Sequence, residues 1–262
     1  MPFNNYVNRC SVFWNRNWQT FSNPQMPVTN PLPLNLNKNP YPGFEVAVFN
    51  DPGCGGTYGQ NVYVKKNGLL IVGCNPSGIA KHHIYRKAIP NPQSPDYRNF
   101  YIVNTYPLVN DPYTKAIHDF ANACGYGENY YKMDVFGIMR LKQSVLSDDI
   151  EDKYQPHLKE YQELFEIFVD TVIDLQPEKI VFVNAFISNL INGIRPNYTN
   201  IVNNHVIVGT GINNRTNKGG LSITFNNNGR TFKSTAWFSS MLSGQRALDN
   251  GSKGLLTWAV HK

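Results

Sequence analysis

Leu69-Leu70-Ile71-Val72-Gly73-Cys74, followed at once by Asn75-Pro76-Ser77-Gly78, decides the fold class. The run is apolar throughout and too short for a helix. It reads as a strand buried on both faces, and such strands belong to parallel sheets covered by helices on each side. Pro76 and Gly78 turn the chain sharply at the strand's carboxyl end, where open α/β sheets bind ligands.

Working outward, the pattern repeats. Asp111-Pro112 opens a helix to about Cys124, stopped by Gly125 and Gly127. Tyr131–Met139 reads as a second central strand. Gln155–Leu175 is the strongest helix: Leu158, Tyr161, Leu164, Phe165, Phe168, Val169, Val172 and Ile173 form one apolar stripe, and Pro177 ends it. Lys179–Asn184 reads as a strand and Phe186–Gly193 as a short helix. His205–Val208 is a strand candidate. Leu221–Phe225 and Thr231–Lys233 flank the turn Asn226-Asn227-Asn228-Gly229-Arg230, giving an antiparallel edge or a flap. Ala236–Ser240 reads as a further strand and Ser252–His261 as a terminal helix. The alternation predicts a three-layer α/β/α sandwich with a short, mostly parallel central sheet.

Upstream, Phe44–Phe49 and Asn61–Lys65 read as strands around a glycine-rich turn at 51–59, and 79–110 as loops with short helices. Six prolines between Pro24 and Pro42 oppose helix. Residues 1–43 therefore read as an irregular arm pinned to the surface by Phe13, Trp14, Trp18 and Phe21, and 44–262 as one α/β domain.

Of 262 residues, 24 are basic and 18 acidic, for a net charge of +6. The distribution is uneven. Residues 61–120 carry seven basic and three acidic groups, 121–180 six and twelve, and 181–262 eight and one. A polyanion would be repelled from the middle block and attracted to the other two. No apolar run is long enough to span a bilayer and no export signal opens the chain, so a cytoplasmic protein without a membrane partner is expected. The four cysteines, at 10, 54, 74 and 124, have no metal-ligand or disulfide spacing and read as buried thiols. Cys74 beside Asn75 is a nucleophile only if some distant base activates it. His82-His83 is a poor metal site, because adjacent residues diverge in regular structure. No cofactor or metal is expected.

The chemistry concentrates at the first strand end. Gly73 permits close backbone approach, Asn75 offers an amide, and Ser77 and Gly78 offer groups for a phosphate or a water. The same residues also fit a tight turn in which Asn75 bonds its own backbone. A strand ending Gly73-Cys74-Asn75-Pro76, with Ser77 inserted before Gly78, resembles the first motif of the mismatch-specific and single-strand-selective branches of the uracil-DNA glycosylase superfamily. The resemblance implies an N-glycosidic hydrolase that repairs DNA, with Asn75 positioning the attacking water. Other branches have an acid at that place, and this chain has none there.

The family's second motif usually reads His-Pro-Ser. Its best match is Met241-Leu242-Ser243-Gly244, with Met241 at the place of the His and Leu242 at that of the Pro. The resemblance gives Ser243 a catalytic role beside Asn75. Base contacts fall to Tyr85, Asn184, Cys74 and Met241, with Tyr97 a second stacking candidate. Asn184 equally suits a helix cap. Phosphate contacts fall to Ser77, Gly78, Gly244, Gln245, Arg246 and Lys253, with Arg86, Lys87 and Arg98 available nearby. A thioether cannot donate to a departing base, so Met241 favours an alternative: a relative that binds single- or double-stranded DNA without catalysis. A hydrolase of small nucleotides or nucleosides is the third reading.

Overall fold

The computed structural model describes residues 5–6, 8–10, 12–13, 16–17, 67–74, 115–127, 129–137, 146–151, 157–209, 220–242 and 248–261. At 43–46, 101–102, 112–114, 138–139 and 143–145 it describes the backbone alone.

Besides helical residues between 5 and 17, the described residues form nine strands and six helices. In chain order they are β1 (Gly43–Val46), β2 (Leu69–Gly73), β3 (Tyr101–Ile102), α1 (Pro112–Ala123), β4 (Tyr130–Asp134), β5 (Ile138–Met139), α2 (Gln143–Glu151) and α3 (Leu158–Leu175). There follow β6 (Lys179–Phe182), α4 (Ala185–Ile191), α5 (Pro196–Val202), β7 (Val206–Val208), β8 (Leu221–Asn227), β9 (Arg230–Phe238) and α6 (Asn250–Val260).

Six strands make the main sheet, in the order β4-β2-β6-β9-β8-β7. The first four run parallel, with Leu70 opposite Tyr131 and Ile180, and Val181 opposite Trp237. β8 and β7 add an antiparallel edge. A separate small sheet holds β3-β1-β5.

Strand alternation builds the two cores. Leu70, Val72, Met133, Ile180, Phe182, Ala236 and Phe238 face α2–α5, whereas Leu69, Ile71, Tyr130, Val181 and Trp237 face α1 and α6. The chain is therefore a three-layer α/β/α sandwich. All five residues of β2 are buried, which is why its sequence lacks alternation. The apolar stripe of α3 packs on this sheet, and Phe165 and Phe168 are fully buried. Each contributes about 1.5–3 kcal/mol by burial. Gln176 ends α3 in the left-handed region (φ 50°), its N–H bonding Val172 O, and Pro177 blocks any continuation.

The structure departs from the sequence reading in several places, among them β3, which falls in the stretch 79–110 read as loops with short helices. The expected strand Tyr131–Met139 is two strands, because Val135 and Phe136 turn their N–H groups onto Gly73 O and Cys74 O. Phe136 then packs edge-on against Tyr161 of α3. The described residues between 5 and 17 are helical rather than irregular, and Tyr6, Cys10 and Phe13 enter the α3 core. Helices α2 and α5 replace stretches read without regular structure. Finally, the two expected strands Thr231–Lys233 and Ala236–Ser240 are one strand, β9. Its first half pairs in the hairpin and its second half joins the parallel sheet. The hairpin turn itself is as expected, with Asn228 and Gly229 at φ 49° and 75°. The expected strand at 61–65 and the turn at 51–59 lie outside the described residues. No helix among the described residues is long and apolar enough to cross a membrane.

Candidate functional site

Strands β2, β4, β6 and β9 are parallel, so their carboxyl ends form one edge of the sheet. They stay hydrogen-bonded to the very end. Val135 N donates to Gly73 O at 3.0 Å, Val183 N to Val72 O at 2.9 Å and Ser239 N to Phe182 O at 2.7 Å. From this edge the chain leaves toward Asn75 after β2, toward Asn184 after β6 and toward Ser243 after β9. One strand, β6, separates the first exit from the third, a span of roughly 10 Å at ordinary strand spacing.

The connections give the edge a further property. β2 leads through α1 to β4 on one side of it, and the chain then returns to place β6 on the other side. Connections diverge between β2 and β6, which is where open α/β sheets place a ligand crevice.

Asn184 follows β6 at that edge. It is extended and caps α4, its Oδ1 accepting from Phe186 N at 2.8 Å. The cap expected for this residue is formed; it uses the amide oxygen and leaves Nδ2 as a donor. Among the described residues Nδ2 has no acceptor.

Cys74, expected at the base, packs instead in the α3-side core as a free thiol. Burial pushes its pKa well above the usual thiol range, and the charge of Asp134 adds to the shift. A thiol held neutral in this way is no nucleophile. Met241 is half-buried just past β9, and its carbonyl accepts from Leu248 N at 2.9 Å. Leu242 is buried beside it in the α6-side core.

Lys253 lies in the first turn of α6, where its Nζ donates to Leu242 O at 3.4 Å. That bond holds a cation at the same edge. The start of α6 is already capped by Asp249, whose carboxylate accepts from Ser252 N and Ser252 Oγ. These bonds hold its pKa below the usual carboxylate range.

Asn75, Ser77, Gly78, Tyr85, Tyr97, Ser243, Gly244, Gln245 and Arg246 lie outside the described residues, as do His82, His83, Arg86, Lys87 and Arg98. On α1, His118 faces Asn122 Nδ2 at 2.8 Å and Tyr130 Oη at 3.4 Å.

Two groups at the sheet were not foreseen. Lys132 and Asp134 form a buried ion pair on β4, Nζ to Oδ2 at 2.6 Å. Tyr-Tyr-Lys-Met-Asp reads as an ordinary strand with one wet face, so nothing local marks the pair as buried. Trp237, the second, is buried on β9 with its Nε1 donor unpaired among the described residues. Leaving a buried donor without a partner is costly, and its indole nitrogen is available to an acceptor near the same edge. No family model matches the chain, and no curated protein matches it.

Proposed function

We propose that this protein is a DNA base-excision enzyme of the uracil-DNA glycosylase type, hydrolysing the N-glycosidic bond of a deaminated or damaged base. One observation supports the reading above the others. The two motifs that resemble the superfamily follow strands whose carboxyl ends share one edge, on either side of β6 at the point where the connections diverge.

The chemistry assigns a task to each group. A base taken out of the stack enters the crevice. Asn75 places the water. Asn184 Nδ2 donates to a base carbonyl and to the negative charge that grows on it, since its oxygen is already used by the cap. Ser243 adds a second donor from the far side. Lys253 meets a phosphate, which aligns the strand without reading sequence. Three buried free thiols, Cys10, Cys74 and Cys124, suit a reducing compartment and support a cytoplasmic place.

The test is direct. Purified protein is incubated with single- and double-stranded oligonucleotides containing uracil, hypoxanthine or a thymine mismatch, and abasic sites are scored. Excision is expected, and Asn75→Ala is expected to slow it by about a hundredfold or more. If every oligonucleotide survives intact, the catalytic reading is lost.

A second reading, a DNA binder without catalysis, is favoured by one residue. Met241 stands where the superfamily has its His, and a thioether donates no hydrogen bond. It predicts binding that weakens steeply with salt, and no abasic sites.

A further inference from the structure

The main sheet has two outer strands, β4 and β7, and they differ. Every residue of β4 is buried. β7 is open: Ile207 is 54% exposed, and Gly209 just beyond the strand is exposed as well. The pairing with β8 shows which backbone groups are in use. Asn226 N donates to His205 O at 2.7 Å and Gly209 N to Ser222 O at 2.8 Å, while Ile207 stands opposite Thr224. Residues 205, 207 and 209 therefore turn their backbone groups to β8. In an antiparallel ladder the intervening residues turn theirs away, so the N–H and C=O of Val206 and Val208 point out from the sheet. They have no partner among the described residues.

Unpaired backbone groups on an outer strand are a template for another strand, and proteins commonly block it with a charge, a proline or a bulge. Asn203-Asn204-His205-Val206-Ile207-Val208-Gly209 has no Lys, Arg, Asp, Glu or Pro, and its register with β8 is unbroken. A charged partner strand would find no counter-charge here. A second copy of the same segment brings no like charge, and it brings the same outward donors and acceptors.

We propose that β7 is an interface at which two copies of this chain pair, β7 against β7 and antiparallel, about a two-fold axis through Ile207. This goes beyond the glycosidic reading and does not depend on it. In that register Val206 stands opposite Val208 of the second copy, and the two exchange both backbone hydrogen bonds. The axis repeats the exchange on its other side.

The side chains fit the same axis. Val206 is buried and Val208 packs against the α3-side core, so the valine pairs extend that core across the interface. On the opposite face Ile207 meets its own copy in a close pair, which takes the exposed isoleucine out of water. His205 falls opposite Gly209, which has no side chain to obstruct it, and its Nδ1 is already turned to Asn226 O at 3.0 Å. Moving the axis to Val206 or Val208 sets Ile207 against His205 or Gly209 and loses the apolar pair. The strand is short, so the dimer belongs with weak, reversible interfaces of less than about 1,200 Å².

Sedimentation velocity on the full chain, across a concentration series, tests the association. The sedimentation coefficient is expected to rise with concentration. Ile207→Lys sets two ammonium groups against each other at the axis and is expected to weaken the dimer by about tenfold or more. Its melting temperature stays unchanged, because the side chain is exposed in the single chain.

A crosslinking pair tests the register. Ile207→Cys and Ser222→Cys are each made in a Cys54→Ser background and oxidised. Across the axis the Ile207 Cα atoms are about 4.5 Å apart, within reach of a disulfide. Ser222 is separated from its own copy by three strand spacings, about 14 Å. Ile207→Cys is therefore expected to form a covalent dimer and Ser222→Cys to remain monomeric. Wild type that stays monomeric at every concentration, an association that survives Ile207→Lys undiminished, or crosslinking that does not distinguish the two cysteine variants overturns the proposal.

Discussion

Asn184 Oδ1 accepts a hydrogen bond from Phe186 N at 2.8 Å, so one amide starts α4 with its oxygen and keeps its nitrogen as a donor. The two roles separate by substitution. Serine retains a cap acceptor but has no amide. Asn184→Ser is expected to keep stability within about 0.5 kcal/mol while weakening binding of base-bearing oligonucleotides, whereas Asn184→Ala costs about 1 kcal/mol as well. Urea unfolding and anisotropy titrations on both variants check this. If serine preserves full affinity, the nitrogen has no part in base binding.

The N-terminal helical segment is tied to the hairpin through α3. Asp170 is buried and paired with both Arg9 and Arg230, and Arg230 also reaches Asp174 at 2.6 Å. Asp170→Ala leaves two cations facing an apolar side chain and is expected to cost about 3 kcal/mol. Arg16 pairs with Glu163 in a far more exposed setting. Arg16→Ala is expected to cost under about 1 kcal/mol. Chemical denaturation of the two variants should rank them in that order.

Gly220 and Gly229 both have positive φ, at 71° and 75°, but their surroundings differ. A Cβ at Gly220 would come within 2.5 Å of Thr235 Cγ2 and 2.8 Å of the Trp237 ring, whereas at Gly229 it would meet nothing within 4 Å. Gly229→Ala should cost about 1 kcal/mol through backbone strain alone. Gly220→Ala adds a clash with the sheet and should cost at least about 2 kcal/mol, visible as a lower melting temperature.

The buried thiols predict a response to alkali. Burial pushes the Cys124 pKa up to about 12 and raises those of Cys10 and Cys74 as well. The native state then keeps protons that the unfolded chain releases above about pH 8.5. Stability from this source is complete below that pH and falls as pH rises through the native values. A Cys54→Ser variant should therefore show no thiol reacting rapidly with a disulfide reagent at pH 8, and three after unfolding in urea. Rapid labelling of the native variant would contradict the burial of these three side chains.

Legibility followed the reach of the forces involved. β2 and α3 could be read directly, because a continuous apolar run and a helical stripe are signals within five to eighteen residues. The turn at Asn228-Gly229 was equally plain. The N-terminal helical segment was missed because the prolines that follow it colour the composition of the whole arm. β9 was read as two pieces because Ser234 and Thr235 look like a loop, yet they complete a strand that pairs with β8 on one side and with β6 on the other.

By itself, the sequence determined the α/β class and the positions of the buried strands, since both depend on local pattern and on the exclusion of water from apolar runs. Only the tertiary structure decided strand order, and with it which exits share an edge. It also decided that Cys74 faces the core, that Asn184 caps α4 through its amide oxygen, and that Lys132 and Asp134 are shielded from water. These depend on contacts between residues far apart in the chain, where burial is a property of the assembled layers and no single segment contains it.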